Sequence, residues 1–376
     1  MSELIRVLHV ATQMHRAGLE TMLMNYYRHI DRERIQFDFL VHREERYDYD
    51  DEILALGGRI YRIRPIHMAD FAAYLKDLIV FFSAHQEYKI VHSHLDGLSA
   101  FPLGAAQYAG IPVRIAHSHN NGFERDGKLL LRSCARPLAR WTATDFWGCS
   151  HEALVFMFGN SAHVANAAFI LRNAIDVKKF DYSSSVRHAI RQELGISDHQ
   201  FVVGHIGRFT YAKNHNFLLK IHRSLTDKKK DAVLILVGGG EYEAEIKEQI
   251  AQLGLQASVR FSGVRDDVPA MLSAMDVLLM PSHYEGFGMV LLEAQAAGLP
   301  CVASDSISKE VNITRSIHFL SLSSSADIWA DTVLGCYGKR YDNAQMLYKS
   351  GYDIHDSARE LLEKYEELYY GGRNTP

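Results

Sequence analysis

Cysteine is scarce in this sequence, and its scarcity narrows the possible classes of protein. Only four cysteines occur in 376 residues, at positions 134, 149, 301 and 336, and no two of them form a Cys-x-x-Cys motif. This spacing excludes a thioredoxin-type redox motif and a cysteine zinc knuckle. So few cysteines in a long chain are typical of a reducing compartment, and we expect a cytoplasmic location.

Long apolar runs and an excess of basic charge are missing as well. The longest stretch without a charged residue or a histidine, 97–113, contains glycine, proline and glutamine and is too short to span a bilayer as a helix. The formal net charge is −4, so no overall positive field points to nucleic acid as a partner. The charged N-terminal residues differ from a signal peptide. We expect a protein that is soluble or attached to a membrane surface.

Short apolar runs alternate with amphipathic, helix-like stretches along the whole chain. The runs are rich in β-formers and almost continuously apolar, as buried parallel strands are. This alternation predicts α/β layers. Two Rossmann-like domains fit the two sets of runs, and one TIM barrel is the alternative. The runs are 5–11, 35–41, 59–63, 89–94, 113–117, 144–150, 201–208, 232–237, 259–264, 276–282 and 300–304.

A polar stretch after residue 176 indicates the boundary between the two domains. We place the first domain at 1–174 and the second at 175–352. The remaining segment, 353–370, has the apolar spacing of one amphipathic helix and is followed by two glycines, which commonly end a helix.

The segment 276–300 is the first candidate for a binding site. A buried strand leads into a loop that contains Glu285 and Gly286-Phe287-Gly288, and a helix that carries Glu293 follows. Parallel α/β sheets bind ligands at the carboxyl ends of their strands. Glycines there let backbone N–H groups approach an anion, and the N-terminus of a helix adds positive potential. An ordinary loop with solvated glutamates is the alternative interpretation.

A second candidate segment begins at the end of the run 201–208. The strand leads to Gly207 and Arg208, and Lys213 follows in the next loop. A forked guanidinium and an ammonium placed together suit the several oxygens of a diphosphate. Two solvated surface cations are the alternative.

Together these residues resemble the donor-site signature of retaining glycosyltransferases of family 4, which have the GT-B fold. The resemblance extends over nearly the whole chain and is strongest to bacterial enzymes of exopolysaccharide or capsule assembly. The sequence departs from the family at Ala17 and Ala174, because members of the family frequently have glycine at these positions. Its further segments are Arg16-Ala17-Gly18-Leu19-Glu20, Val91-His92-Ser93-His94, Ala116-His117-Ser118-His119-Asn120 and Asn173-Ala174-Ile175-Asp176.

This resemblance implies a domain arrangement, two substrates and a reaction. Two Rossmann-like domains would face each other across a cleft, with the helix 353–370 packed back on the first. The first domain would bind a saccharide or lipid-linked saccharide acceptor, and the second a nucleotide-sugar, taken as a UDP-sugar. The sugar would be transferred with retained anomeric configuration and without a required metal or other cofactor.

The resemblance also implies roles for individual residues of the second domain. Arg208 and Lys213 would hold the diphosphate of the donor, and the backbone N–H groups of 286–288 would contact its phosphates and sugar. Glu285 would contact hydroxyl groups of the donor sugar, and Glu293 would bind the ribose.

Four more residues receive roles in the same way. Gly18 would let an N-terminal loop close over the diphosphate, and the backbone near Val264 would meet the nucleobase. One histidine of the segment 113–120 would lie beside the donor sugar. His119 is preferred because it is nearer the loop, and His117 remains the other choice.

The paired histidines suggest a competing hypothesis, a metal site. In each of the pairs His92/His94 and His117/His119, both side chains point to one face of a strand. Four imidazoles at two strand ends could bind zinc, as in a metal-dependent hydrolase, although no carboxylate ligand accompanies them. A nucleotide-sugar epimerase with the same architecture is another alternative activity.

The segment 125–141 combines regularly spaced basic residues with leucines and a tryptophan. As a helix it would carry a cationic stripe beside apolar groups, although Pro137 would kink it. Basic amphipathic helices adsorb to anionic membranes, so we expect attachment to the inner face of the cell membrane. A solvated face with its leucines in the core is the alternative.

Overall fold

The computed structural model of the chain describes residues 3–120 and 129–371. It contains two compact units, Met1–Ile175 together with Asp353–Pro376, and Asp176–Tyr352. Each unit is built on its own open parallel sheet, which rules out a TIM barrel. Our sequence-based division lay after residue 174, one residue before the division in the structure.

The first unit contains a seven-stranded sheet in the order β3-β2-β1-β4-β5-β6-β7. All its neighbouring strands are parallel. The order reverses between β1 and β4, which is where open α/β sheets bind ligands. The strands are β1 (Ile5–Ala11), β2 (Ile35–Val41), β3 (Ile60–Arg62), β4 (Ile90–Ser93), β5 (Val113–Ser118), β6 (Asp145–Gly148) and β7 (Ala168–Ile170).

Helices cover both faces of this sheet. Val7 faces one apolar cluster and Leu8 the other, so both sides of β1 are buried, and this explains its almost continuous apolar run. The helices are α1 (Gly18–His29), α2 (Asp50–Ala55), α3 (Phe71–Ala84), α4 (Ala100–Tyr108), α5 (Leu129–Thr142), α6 (His151–Phe158) and α7 (Ala162–Asn166). Short 3-10 helices lie at Met68–Asp70 and Asp96–Ser99.

The second unit repeats this architecture with six parallel strands in the order β10-β9-β8-β11-β12-β13. The reversal now lies between β8 and β11. The strands are β8 (Phe201–Ile206), β9 (Ala232–Val237), β10 (Val259–Gly263), β11 (Val277–Met280), β12 (Cys301–Ser304) and β13 (Ile317–Leu320).

Seven helices and three short 3-10 helices connect these strands in the described part of the unit. The helices are α8 (Ser184–Glu193), α9 (His215–Lys228), α10 (Glu243–Gln252), α11 (Val268–Ala274), α12 (Met289–Ala296), α13 (Ala326–Leu334) and α14 (Gln345–Lys349). The 3-10 helices are Val177–Phe180, Tyr211–Lys213 and Lys309–Val311.

The chain returns to the first unit in its last helix, α15 (Ile354–Gly371). The Ile354 backbone N–H donates to the Ile175 carbonyl at 2.9 Å, and Leu361 and Tyr365 are buried in the same apolar cluster as β1. The helix therefore completes one face of the first core.

The eleven predicted strands are present, and two strands went unpredicted. β7 and β13 lie at the edges of their sheets, and they are three and four residues long. The edge strands β3 and β10 were predicted, so the position at an edge does not by itself explain why these two were missed. Both unpredicted strands are short and partly exposed, and His318 interrupts the apolar residues of β13.

The structure supports neither interpretation of the basic segment in full, since Leu131 packs against the core while other apolar side chains of the segment are exposed. The described part of α5 runs from Leu129 to Thr142, and residues 125 and 128 lie outside the described residues. Within the helix the alanines Ala135 and Ala139 are buried, whereas Leu130, Leu138 and Trp141 are 77%, 52% and 81% exposed. These apolar side chains therefore form an outer surface rather than part of the core.

No helix in the described ranges has both the length and the apolar character needed to cross a bilayer.

A buried ion pair organises the base of the second unit. The carboxylate of Asp276, just before β11, accepts hydrogen bonds from Arg187 Nη2 at 2.6 Å and Arg191 Nη2 at 2.8 Å. It also accepts the backbone N–H of Val202 in β8 at 2.8 Å. Since the Arg191 side chain is fully buried, its charge depends on this carboxylate.

We predict that Asp276→Asn lowers the free energy of unfolding by roughly 3 kcal/mol, because it leaves a buried guanidinium without its counter-charge. Asp227→Asn is the matched control, since Asp227 forms an exposed pair with Arg223 at 3.2 Å; its loss should cost less than about 1 kcal/mol. Urea unfolding followed by circular dichroism measures both. Equal effects of the two substitutions would contradict the assignment.

Candidate functional site

The two candidate segments of the second unit lie at the ends of adjacent strands. Gly207 and Arg208 follow β8, and the loop with Glu285 follows β11. The two strands pair in parallel, with Val277 opposite Val203. Because their carboxyl ends lie at one edge of the sheet, on either side of the reversal in strand order, this edge is the expected ligand site.

A direct ion pair joins the two loops. Lys213 Nζ lies 2.7 Å from Glu285 Oε1, and Ser282 Oγ donates to the same oxygen at 2.7 Å. The two charged side chains are only 16% and 12% exposed. Residues 72 positions apart in the sequence thus hold each other in place, so the carboxylate and the ammonium are oriented before any substrate binds.

Two further hydrogen bonds support this pair. The His283 backbone N–H donates to the Ala212 carbonyl at 2.7 Å, and Asn214 Nδ2 donates to the Pro281 carbonyl at 3.0 Å. Asn214 adopts a left-handed conformation, with φ of 53°. The loops after β8 and β11 are therefore linked through both backbone and side chains.

Arg208 is held much less firmly. Its Nη2 atom lies 3.3 Å from Glu241 Oε2, and the two side chains are 61% and 53% exposed. An exposed pair of this kind contributes little stability. The guanidinium can therefore exchange this partner for an anionic ligand at low cost.

The sequence analysis missed a glycine loop next to this site. Gly238 has φ of 134°, and a Cβ atom on it would lie 2.1 Å from the Gly207 carbonyl oxygen. A Cβ on Gly240 would lie 2.6 Å from the Phe209 carbonyl oxygen. Only glycine permits this close packing of the loop after β9 against the loop after β8. Three consecutive glycines after a buried strand, Gly238-Gly239-Gly240, were the signal available in the sequence.

Val264 follows β10 on the far side of this glycine loop. Its side chain is 71% exposed, and its Cγ2 atom lies 3.6 Å from the position of a Cβ on Gly239. The end of β10 therefore exposes an apolar side chain beside the glycine loop.

The start of α12 provides the electropositive end of a helix dipole. Gly288 is the N-cap, with φ of 81°. The first N–H groups of a helix have no carbonyl partner within the helix, and its N-terminus favours anions. The Phe287 side chain is 5% exposed and stacks on Tyr352 at 5.8 Å between ring centroids. This packing anchors the loop, so that Gly286, Phe287 and Gly288 can offer only backbone groups to a ligand.

Glu293 lies in the second turn of α12 and is poorly solvated. Burial raises the pKa of its carboxyl to about 8, and the positive charge of Lys179 opposes this rise only in part. The side chain keeps a small contact with solvent. The protein therefore tolerates a carboxyl group that it does not stabilise, which is typical of a group kept for binding.

The remaining predicted residues belong to the first unit. Gly18 is the first residue of α1, and a Cβ atom there would contact nothing within 4 Å. Packing within the protein therefore does not require glycine at this position.

His117 and His119 lie in a cluster of five histidines at the carboxyl ends of three adjacent strands. His9 is on β1, His92 is on β4 with His94 just after it, and His117 is on β5 with His119 just after it. Four of them are at most 4% exposed, and His119 retains some exposure. Desolvation lowers the pKa of all five, to about 3 for His9 and His119, so the imidazoles are neutral at pH 7.

Hydrogen bonds connect these rings in two chains. His94 Nδ1 lies 2.9 Å from His119 Nε2, and His94 Nε2 lies 3.0 Å from His9 Nδ1. In the second chain, His92 Nε2 lies 3.0 Å from His117 Nδ1, and His92 Nδ1 lies 2.7 Å from the hydroxyl of Tyr365 in α15. The ring orientation of His119 is thus set by His94. The sequence analysis identified two pairs but did not include His9.

A further clamp holds the backbone next to His119. Asp96 Oδ1 accepts the His119 backbone N–H at 3.3 Å, and Asp96 Oδ2 accepts Asn120 Nδ2 at 3.1 Å. Asp96 itself has a left-handed backbone, with φ of 47°. This contribution of Asp96 was not predicted.

The charged segment at 48–50, which superficially resembles a metal-binding Asp-x-Asp motif, has other partners. Asp50 is buried and paired with Arg62, and Asp48 Oδ2 accepts the Arg16 backbone N–H at 3.0 Å. These contacts give both carboxylates a structural role.

We predict that Glu293→Gln stabilises the protein, and increasingly so as the pH rises. The folded-state pKa of about 8 lies above the ordinary value of 4.5, so the native carboxyl loses stability as pH rises from 4.5 to 8. The melting temperature of the variant should exceed that of the wild type clearly at pH 8 and only slightly at pH 5. A difference in melting temperature that does not change with pH would contradict this account. Glu248→Gln on the exposed face of α10 is the control.

Comparison with known proteins agrees with this geometry. Residues 186–332 match the family described as Glycosyl transferases group 1. EpsF of Bacillus subtilis (strain 168), which is named as a glycosyltransferase, is 36% identical over 373 residues, 96% of each chain. The UDP-Gal:alpha-D-GlcNAc-diphosphoundecaprenol alpha-1,3-galactosyltransferase of Escherichia coli is 26% identical over 226 residues, 58% of each chain.

Among solved structures, Anabaena Alr3699/HepE in complex with UDP and glucose has a TM-score of 0.79. Its sequence is 20% identical, and the match covers 96% of this chain and 99% of that chain. This similarity shows that the two chains share the GT-B fold. The close match to EpsF over nearly the full length establishes the family: the chain is a glycosyltransferase of group 1.

Proposed function

We propose that the enzyme transfers a sugar from a UDP-sugar to a saccharide or lipid-linked saccharide acceptor, with retained anomeric configuration, during exopolysaccharide or capsule assembly. The observation that carries the proposal is the Lys213–Glu285 pair, which joins the loop that follows Arg208 to the loop that precedes α12. The solved relative HepE binds UDP and glucose, and the Escherichia coli relative acts on a diphosphoundecaprenol-linked sugar.

The chemistry of the reaction explains why this arrangement suits a nucleotide-sugar. Cleavage of the bond between sugar and phosphate builds positive charge on the sugar and negative charge on the departing diphosphate. Fixed cations and N–H dipoles stabilise that negative charge without reorganising during the reaction. Arg208 and Lys213 would supply the cations, and the backbone at 286–288 would supply N–H groups, so no metal ion or other cofactor is required.

The two glutamates have different tasks in this proposal. Glu285 is paired with Lys213 and would accept hydrogen bonds from hydroxyl groups of the donor sugar. Glu293, with its raised pKa, would accept hydrogen bonds from the ribose hydroxyls. The apolar surface at Val264 would lie against the uracil ring.

The first domain, 1–174 with the helix 353–370, would bind the acceptor. His119 is the stronger candidate for contact with the donor sugar, because His117 is 1% exposed and His119 retains contact with solvent. A neutral imidazole there can donate or accept a hydrogen bond without adding positive charge beside the forming oxocarbenium centre. Gly18 would allow backbone N–H groups to approach the diphosphate.

We predict that Arg208→Gln and Lys213→Gln each weaken UDP binding by about 10- to 100-fold, the loss expected for a charge-assisted hydrogen bond. Arg223→Gln, an exposed arginine of α9, is the control and should leave the affinity unchanged. Isothermal titration calorimetry with UDP measures all three variants. If neither Arg208→Gln nor Lys213→Gln alters the affinity, the diphosphate assignment is wrong.

We also propose that the protein attaches to the membrane surface, and this proposal is separate from the transferase activity. The outer side of α5 exposes Leu130, Leu138 and Trp141, which recur at helical spacing. Arg136 and Arg140 both lie to one side of this stripe, and their guanidinium groups donate hydrogen bonds to the Met157 carbonyl at 3.1 Å and to Ser161 Oγ at 3.2 Å. An exposed apolar stripe with cations on one side suits the interface of an anionic membrane. A lipid-linked acceptor would be found there.

We expect the protein to co-sediment with anionic liposomes at low salt and to be released at high salt, where surface charges are screened. Leu130→Gln combined with Trp141→Gln should abolish co-sedimentation, because it removes the apolar contact area. Leu54→Gln, at a 53% exposed leucine of α2, is the control. Failure of the wild-type protein to co-sediment would refute the membrane proposal and leave the transferase proposal intact.

A further inference from the structure

The histidine cluster of the first unit has a geometry that the proposed transferase reaction does not use in full. Strand register places His9 opposite His92, and the two-residue spacings on β4 and β5 direct the other rings to the same face. Only one imidazole of five is assigned a contact with the donor sugar. The remaining four need a different explanation.

We propose that His94, His117 and His119 bind one divalent transition-metal ion of the Zn²⁺ class. Each of these residues places one ring nitrogen within 4.8 Å of a ring nitrogen of the other two. Three imidazoles with a fourth position open are a known arrangement for zinc, whose bonds to nitrogen are about 2.0–2.1 Å long. The site lies wholly in the first unit, so it does not depend on the proposed transferase reaction.

Two of the three proposed ligand nitrogens already lie near the spacing that zinc requires, whereas the His117 ring would have to rotate, because it packs on the His119 ring at 4.0 Å between centroids with 30° between the ring planes. Two nitrogens that share a tetrahedral zinc lie about 3.4 Å apart, as follows from those bond lengths. His94 Nδ1 and His119 Nε2 already lie 2.9 Å apart and share a proton. An opening of about half an ångström would let the ion replace that proton.

An unpartnered atom supplies an independent indication. His117 Nε2 is buried and has no hydrogen-bond partner within the described residues. A buried polar atom without a partner costs free energy, and among the described residues His9 Nε2 and ring nitrogens of His205, His215 and His222 are in the same state. Coordination to a metal ion would remove that cost at His117 Nε2, because the lone pair of this nitrogen would become a ligand.

The surrounding residues already form the outer hydrogen bonds that a zinc site needs. His94 keeps Nε2 beside His9 Nδ1 at 3.0 Å, and His117 keeps Nδ1 beside His92 Nε2 at 3.0 Å. The second chain of hydrogen bonds ends at the Tyr365 hydroxyl. Metal-bound histidines generally donate their second ring N–H to such a partner, which fixes the tautomer. This cluster holds that arrangement in place.

The metal-binding atoms also select the class of ion. All three proposed ligands are imidazoles, which suit Zn²⁺, Co²⁺, Ni²⁺ and Cu²⁺, whereas Mg²⁺ and Ca²⁺ prefer oxygen. We therefore expect no competition from Mg²⁺. Where His119 also contacts the donor sugar, a bound ion would occupy the same nitrogen, and Zn²⁺ would inhibit rather than support transfer.

The test uses full-length protein purified without a histidine tag and stripped by a chelator. Calorimetric titration with Zn²⁺ should show one ion bound per chain, and Co²⁺ should produce the intense visible absorption of a tetrahedral nitrogen site. His94→Gln and His117→Gln should each weaken Zn²⁺ binding by at least 100-fold. His9→Phe, which removes only an outer hydrogen bond, should weaken it by about 10- to 100-fold. His67→Gln, at an exposed histidine of the same unit, is the control.

Measurements on the wild-type protein are sufficient to overturn the proposal. Absence of one-to-one Zn²⁺ binding, or a Co²⁺ spectrum of octahedral type, refutes the site whatever the variants do. Zn²⁺ binding that persists in both His94→Gln and His117→Gln, or that His67→Gln abolishes, places the ion elsewhere and refutes it too. Near-ultraviolet circular dichroism establishes that each variant retains its packing.

Discussion

The contact between the Lys213 ammonium and the Glu285 carboxylate is the interaction on which the proposed donor site depends. It joins two loops that 72 residues separate, and Ser282 and two backbone links hold it in place. Opposite charges in a poorly solvated position attract strongly, and each would be costly to bury alone. The pair therefore prearranges a cation and an anion side by side, and the substrate meets groups that are already oriented.

Both units place their polar groups at the same topological position, although the chemistry differs. In the second unit the reversal between β8 and β11 carries charged groups and a helix N-terminus. In the first unit the reversal between β1 and β4 carries neutral imidazoles beneath Tyr365. One unit thus presents positive potential suited to a diphosphate, and the other presents neutral hydrogen-bonding and metal-ligating groups. Glu293 shows the cost of such sites, since the fold does not favour its ionised form.

Strands that are buried on both faces were the most predictable. β1 alternates Val7 and Leu8 between two apolar clusters and so appears as a continuous apolar run, whereas β7 and β13 are short and partly exposed and were not predicted. The candidate residues could be named from their position after predicted strands. Their partners could not, because Glu241, Asp96 and His9 come from other elements, and sequence spacing carries no information about contacts across a sheet.

The sequence by itself determined the layered α/β architecture, because apolar periodicity and turn residues are local properties of the chain. It also determined which loops leave the carboxyl ends of the strands. Only the tertiary structure decided that Lys213 pairs with Glu285, that five histidines form two hydrogen-bonded chains side by side, and that Leu130, Leu138 and Trp141 of α5 face outward. These outcomes depend on strand order and on the packing of helices against sheets, which arise from contacts between residues far apart in the chain.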